Sequence, residues 1–469
     1  MTTYIRATQA PATPQQRQAA LSNHLANCPH LDTFAFFVGL KNLPKLPPIC
    51  QELARWTIMV CIDLEHWTEN TNHTTEIGMV LTSSSKLRPV IASGKIGDHG
   101  QNLLQQSRYY FYRLQENSHM VGNTPWKSPL LKGSSFGQER YVTIQEMQTI
   151  LKDVFNQPIT GVPGLENCNR PIIVLGHAVS HDVKNLREKT VAFDIDAQGT
   201  VVKTIDTQQM VRDAGTWTHT TNNIGLRKLI EDLNFQHGDD AHSAGNDASR
   251  THICAVQVLL NYAKAPPRNL AMAKRVKDNA TQSMQEVEKK VAEHSRKDDN
   301  YHSLGGRPNY CRICGSTTHT AGDCPVSNQQ QCIYCESRAD CAWNSGDRNG
   351  HAWCMINSTT HMTKHCLFKA EQDAIDRRTR HAAIAAARGR GGGHGGHPRG
   401  GKGGASGRGR GGATTTAFGT RGSQTSSDYS DNEYTSVTLT YASVAANGNS
   451  AGAGTVSYTH LTLPTKRIV

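Results

Sequence analysis

Long hydrophobic runs are missing from this chain of 469 residues. Stretches such as TIMVCI at 57–62 and IIVL at 172–175 fall far short of the roughly 20 apolar residues that a bilayer-crossing helix needs. No membrane association is expected. The opening residues, MTTYIRATQAPATPQQRQ, lack the apolar core of a secretory signal, so the expected setting is intracellular: nucleus, cytoplasm or both. Apolar residues are also scarce, at 37% against about 45–50% in an ordinary globular chain. With a mean hydropathy of -0.53, part of the length is expected to stay outside any core. Acidic side chains are the third shortage, 39 against 50 Lys and Arg, for a formal net charge of +11. That surplus favours a polyanionic partner.

Cysteine is present, and unevenly. Five (Cys28, Cys50, Cys61, Cys168, Cys254) are scattered, and the other eight fall between Cys311 and Cys366. Scattered cysteines read as small buried hydrophobes, whereas a dense cluster interleaved with histidines reads as a metal site. A disulfide framework is the alternative, and a reducing compartment argues against it.

Composition divides the chain. Residues 1–30, rich in Ala, Gln, Thr and Pro, are expected to be disordered. Residues 31–264 alternate in an α/β manner. Strands are expected at Thr57–Leu64, Glu76–Thr82, around Pro89–Ala92, at Pro171–Leu175 and at Val201–Ile205, with helices at Gly225–Leu233 and Asn246–Ala263. The elements of 100–170 stay unassigned. Residues 265–305 read as a charged, solvated helical linker, 306–370 as the cysteine-rich region and 371–387 as a helical segment. Residues 388–424 form an RG-rich tail: between 388 and 421, fifteen Gly and seven Lys/Arg occur without an acidic side chain. Such a segment buries too little apolar surface to offset its ordering entropy. Residues 425–469 are expected to be disordered, and the final VSYTHLTLPTKRIV resembles a translated vector junction.

Asp63 and Glu65 end the first strand, where residues i and i+2 face the same way and can converge on one cation. Alone, an exposed acidic pair explains them as well. The company matters: GHAVSHD offers His177 and Asp182 after PIIVL, Asp206-Thr207-Gln208 follow VVKTI, and AHSAGND places His242 and Asp247 at the start of a late helix. Asp182 alone could be a helix cap.

This order, Asp-x-Glu followed by two His-x4-Asp motifs, resembles the DEDDh 3′→5′ exonucleases of the ribonuclease H-like superfamily. The wording LRKLIEDLNF…HSAGNDA with the preceding IDTQ is similar to a fungal subgroup carrying a domain also found in a yeast mRNA-export suppressor. The resemblance covers Thr57–Lys264. It implies a mixed sheet flanked by helices, with Asp63, Glu65, Asp182 and Asp247 as ligands of Mg²⁺ (or Mn²⁺) and His242 as general base. Four close carboxylates repel one another until cations neutralise them. Ala178 and His181 depart from the family pattern. The long spacing from Asp63 to Asp182 implies an insertion around Leu103–Val142.

Cys311-x2-Cys314-x4-His319-x4-Cys324 supplies three thiolates and an imidazole, a closed tetrahedral set for structural Zn²⁺. It is similar to the CCHC zinc knuckle of RNA-binding proteins, including Gly315 and Asp323 but not Thr318. A looser second set is Cys332, Cys335, His361 and Cys366, with Cys341, His351, Cys354 and His365 as competing ligands. Arg388, Arg390, Arg399, Arg408 and Arg410 on a Gly-rich backbone suit phosphate contact and base stacking. The resulting expectation is a metal-dependent 3′→5′ exonuclease, with single-stranded RNA favoured over DNA. Knuckle and tail would tether the substrate, and a cut after about Lys264 should leave the catalytic domain folded. The alternative is an inactive ribonuclease H-like adaptor in ribonucleoprotein assembly or mRNA transport. Oligomeric state is left open.

Overall fold

A computed structural model describes residues 12–43, 45–67, 70–120, 133–219, 222–235, 243–265 and 281–326, together with 375, 376, 379 and 380. All lie in the first of two compact units, Met1–Ala385; the second, Ala386–Val469, is outside the described residues.

Strand β1 (Ile58–His66) is buried through Ile62 and turns polar only at its end, the pattern of a central strand covered on both faces. It pairs antiparallel with β2 (Thr74–Ser83), which pairs antiparallel with β3 (Arg108–Leu114). On its other side β1 runs parallel to β5 (Ile172–Gly176), which is parallel to β6 (Val201–Asp206). Strand β4 (Gln138–Val142) lies parallel to β3, completing the order β4-β3-β2-β1-β5-β6. One face packs on helices α6 (Ile144–Phe155) and α7 (Val179–Glu188). The other packs on the 21-residue helix α10 (Ala244–Lys264) and its neighbours. Among the described residues no helix is long and apolar enough to cross a membrane.

Four expectations need correction. Residues 14–26 are not disordered: α1 (Pro14–Ala26) starts with a Thr13/Gln16 capping box and Pro14 at its first position. It buries Leu21 and Leu25, and the Gln18 side-chain amide donates to the Thr200 carbonyl. The residues around Pro89–Ala92 belong to a helix, not a strand. In α4 (Ser84–Ser93), Leu87 and Ile91 share one buried face and Gly94 ends the helix at φ +67°. The expected insertion around Leu103–Val142 is in part sheet, since its described residues include β3 and β4.

The fourth correction concerns the charged linker. Counting on through α2 (His30–Val38), α3 (Pro48–Arg55), the short α5 (Gln101–Leu104), α8 (Thr207–Asp213) and α9 (Leu226–Asp232), α11 (Met284–Arg296) follows among the described residues. It is docked, not solvated. Met284, Val287, Glu288, Val291, Ala292 and Ser295 form one buried stripe at helical spacing beneath a charged outer face. The α/β domain therefore does not end at Lys264.

Candidate metal centres

The end of β1 meets the start of α10. Asp63 and Glu65 share the sheet face carrying Met59 and Cys61, the face that α10 covers. Opposite Asp63 stands Gly78 of β2. A Cβ there would lie 1.8 Å from the Ala244 carbonyl oxygen, so only glycine lets the first turn of α10 press onto the strand. Gly245 is equally confined, since its Cβ would stand 2.7 Å from Ser134 Cβ and 2.9 Å from Phe111 Cβ. Ser243 caps the helix by accepting from the Asn246 N–H, and Asn246 Oδ1 accepts from the Ser135 N–H at 2.8 Å.

This approach delivers Asp247. One carboxylate oxygen each from Asp63, Glu65 and Asp247 lies within 4.8 Å of the other two, and all three residues are half-buried. Hard oxygen donors at this spacing suit Mg²⁺ or Mn²⁺, not a thiophilic ion.

Asp182 is buried on α7 and stands outside that close group of three. It is not remote: burial first, then the negative charges of Asp63 and Asp182, push the Cys61 thiol well above its usual range. The helix that carries it starts from an unusual anchor. Ala178 takes a left-handed conformation, φ +56°, and the Asp206 carboxylate accepts from the N–H groups of Ala178 (3.2 Å) and Val179 (3.3 Å). The same carboxylate accepts from Gln208 N–H and caps α8, so Asp206 ties β6 to the start of α7. His177 lies 2.8 Å from Thr207 Oγ1 through Nδ1 and 3.0 Å from the Ile224 carbonyl through Nε2. The carbonyl can only accept, so Nε2 carries the proton. His242 lies outside the described residues.

Sequence reasoning overlooked Glu76, which pairs with Glu65 across β1 and β2. It is buried, accepts from the Ala244 N–H at 3.3 Å and lies 3.5 Å from Arg113. Burial raises its pKa while Arg113 pulls the other way. An acidic residue inside an otherwise apolar strand was the available signal.

A second centre stands at Cys311, Cys314, His319 and Cys324, whose ligand atoms all lie within 4.8 Å of one another. Gly315, at φ +75°, donates its N–H to the Cys311 carbonyl, and the Cys314 N–H points at Cys311 Sγ at 3.5 Å. Only Cys311, Ile313 and Cys324 form the buried cluster here, too few to fold the loop unaided. Burial pushes the Cys311 thiol up to about 12, so a cation is needed to draw off its proton near neutral pH. Three sulfurs and an imidazole fit Zn²⁺. Cys332, Cys335, His361 and Cys366 lie outside the described residues, as do Arg388, Arg390, Arg399, Arg408 and Arg410.

A mixed six-stranded sheet with helices on both faces and acidic groups gathered at the end of its central strand is a ribonuclease H-like α/β architecture. Residues 58–258 match the family DEDDh_C, described as DNA polymerase III subunit epsilon-like, C-terminal domain. The matched span runs from β1 into α10 and so includes both elements that supply the acidic cluster. Over this span the chain is similar to the DEDDh exonucleases, a family of hydrolytic nucleases that use divalent metals and act on nucleic acid. No curated protein matches this sequence.

Proposed function

We propose that this protein is a metal-dependent 3′→5′ exonuclease acting on single-stranded RNA in preference to DNA, in the nucleus, the cytoplasm or both. The observation that carries the reading is the convergence of Asp63, Glu65 and Asp247 from elements far apart in the sequence. Asp182 joins them as the fourth carboxylate, held near by the Asp206-anchored start of α7. Bound Mg²⁺ or Mn²⁺ would supply a polarised water and charge neutralisation at the leaving oxygen. The chain's own part is to fix the carboxylates, and His242 accepts a proton from the attacking water. The LRKLIEDLNF wording further supports the fungal subgroup.

The cysteine cluster would hold Zn²⁺ as a CCHC knuckle, with a second zinc at Cys332, Cys335, His361 and Cys366. The knuckle and the arginines of the RG-rich tail would add contacts to the same strand. The test uses single-stranded RNA labelled at either end, with Mg²⁺, Mn²⁺ or EDTA. Stepwise shortening from the 3′ end, abolished by EDTA and by Asp63→Ala, is the expected result. Intact RNA in every lane with retained binding would instead assign the adaptor role.

A further inference from the structure

The cysteine cluster is attached to the sheet, not strung beyond it. Tyr141 on the edge strand β4 and Arg307 exchange backbone hydrogen bonds in an antiparallel bridge, 2.8 Å from Tyr141 N–H to Arg307 O and 2.9 Å in return. The Arg307 guanidinium reaches Glu146 at 2.9 Å, and the rings of Tyr141 and Tyr310 stand 5.9 Å apart. Upstream, Ser295 Oγ accepts from the Gly137 N–H at 2.9 Å and Asp298 accepts from the Gln138 amide at 2.8 Å. Both flanks of β4 are thus bound to the segment that leads into Cys311.

The register then relates the two centres. Glu65 pairs with Glu76, Glu76 with Arg113, Arg113 with Tyr141, and Tyr141 with Arg307. This is one lateral row at one end of the sheet, running from a carboxylate of the acidic cluster to the chain four residues before Cys311. At about 4.8 Å between neighbouring strands, its backbone length is roughly 19 Å.

Beside that row lies Arg312. It is half-buried, follows Cys311 in the chain, and lies near enough to Tyr141 and Arg113 for their charges to act on it, with no carboxylate among the described residues paired to it. Arginine keeps its charge when desolvated, and with no carboxylate paired to it the guanidinium can take a phosphate of a bound strand.

Resting on the exonuclease reading above, we infer that Arg312 and the docked cysteine module form a second contact for the same RNA strand, at a fixed distance from the acidic cluster. A strand must then be long enough to span both. Arg312 stands beside Arg113 and Tyr141, two and three strands along the row from Glu65, so at about 4.8 Å per strand the span to it is roughly 10–14 Å, or about three to four nucleotides at about 3.4 Å each. The module acts as a ruler for substrate length, where a flexible tether would merely raise local concentration.

Binding without cleavage tests this. Full-length, zinc-loaded protein carrying Asp63→Ala, in buffer without added Mg²⁺ or Mn²⁺, is titrated with single-stranded RNAs of about two and about twelve nucleotides. Adding Arg312→Gln should weaken the longer RNA at least tenfold, leave the shorter unchanged and lower the slope of log affinity against log salt by about 0.7, one phosphate contact. Arg312→Lys should restore most of the salt slope. Equal affinities for the longer RNA with and without Arg312→Gln would overturn the inference, as would equal losses for both lengths. Zinc content by native mass spectrometry guards against a structural cause: if Arg312→Gln releases zinc as binding falls, Arg312 serves the cysteine cluster and the inference fails. Length-selective, Arg312-dependent binding by a wild-type protein that cleaves no RNA would sink only the exonuclease reading.

Discussion

Arg250 Nε lies 3.1 Å from Glu288 Oε1, with both side chains almost wholly removed from solvent. Arg250 stands one turn after Asp247 on α10, and Glu288 stands on α11. A helix that reads as a charged spacer thus braces the helix that brings a carboxylate to the site.

Breaking this pair should be costly. Glu288→Ala leaves a buried guanidinium without its carboxylate, a change worth about 3–5 kcal/mol. Urea unfolding should show that loss, while the double variant Arg250→Met, Glu288→Leu should recover most of it because neither charge then remains to be desolvated. Truncation after Lys264 should give an insoluble or molten product. A cooperative, native-like melt of the truncated chain would show that α11 is dispensable.

Gly78→Ala should separate α10 from β2. The added Cβ would stand 1.8 Å from the Ala244 carbonyl oxygen, and main chain cannot swing aside as a side chain can. A stability loss of about 1–3 kcal/mol is expected. Mn²⁺ affinity, read by isothermal titration, should fall more than tenfold because Asp247 is carried away from Asp63 and Glu65. Unchanged Mn²⁺ affinity would mean that the close approach does not set the cluster.

Asp206→Ala removes the acceptor for the Ala178 and Val179 N–H groups at the start of α7. A loss of about 0.5–2 kcal/mol is expected, as for a helix cap. Since α7 carries Asp182, kcat of the proposed RNA hydrolysis should drop while KM changes little. A pure KM effect would place Asp206 in substrate binding instead.

His252 sets a pH dependence. Its ring is buried on α10 with Nε2 2.9 Å from Ser107 Oγ, and burial pulls its pKa down to about 3 from the usual 6.5. The unfolded chain therefore takes up a proton that the folded chain refuses. This contribution to stability is complete above about pH 6.5 and is lost as pH falls toward about 3, with a limiting slope near 1.4 kcal/mol per pH unit. Urea unfolding at about pH 7 and about pH 5 should show a smaller difference in His252→Gln than in the wild type. Parallel profiles would assign the acid sensitivity to other groups.

Much of the site could be read directly from residue order. Asp63 and Glu65 share a face because strand periodicity is two, and Asp247 opens a helix because Ser243 and the small residues after it form a cap. The Cys311–Cys324 spacing is likewise a property of one short loop. These features are local, and local geometry follows from covalent spacing and backbone preference alone.

What closes the site is not local. Gly78 is an unremarkable residue in a strand until Ala244 lies on it, and Asp206 looks like an ordinary cap until the start of α7 borrows its carboxylate. The apolar stripe of α11 escaped notice because charged neighbours dilute it, and because Glu288 is buried only where Arg250 awaits it. The row from Glu65 to Arg307 exists only once five chain segments lie in register. Spacing along the chain chooses which atoms can act as ligands. Close packing between distant segments, and the desolvation it imposes, decides which of those atoms meet.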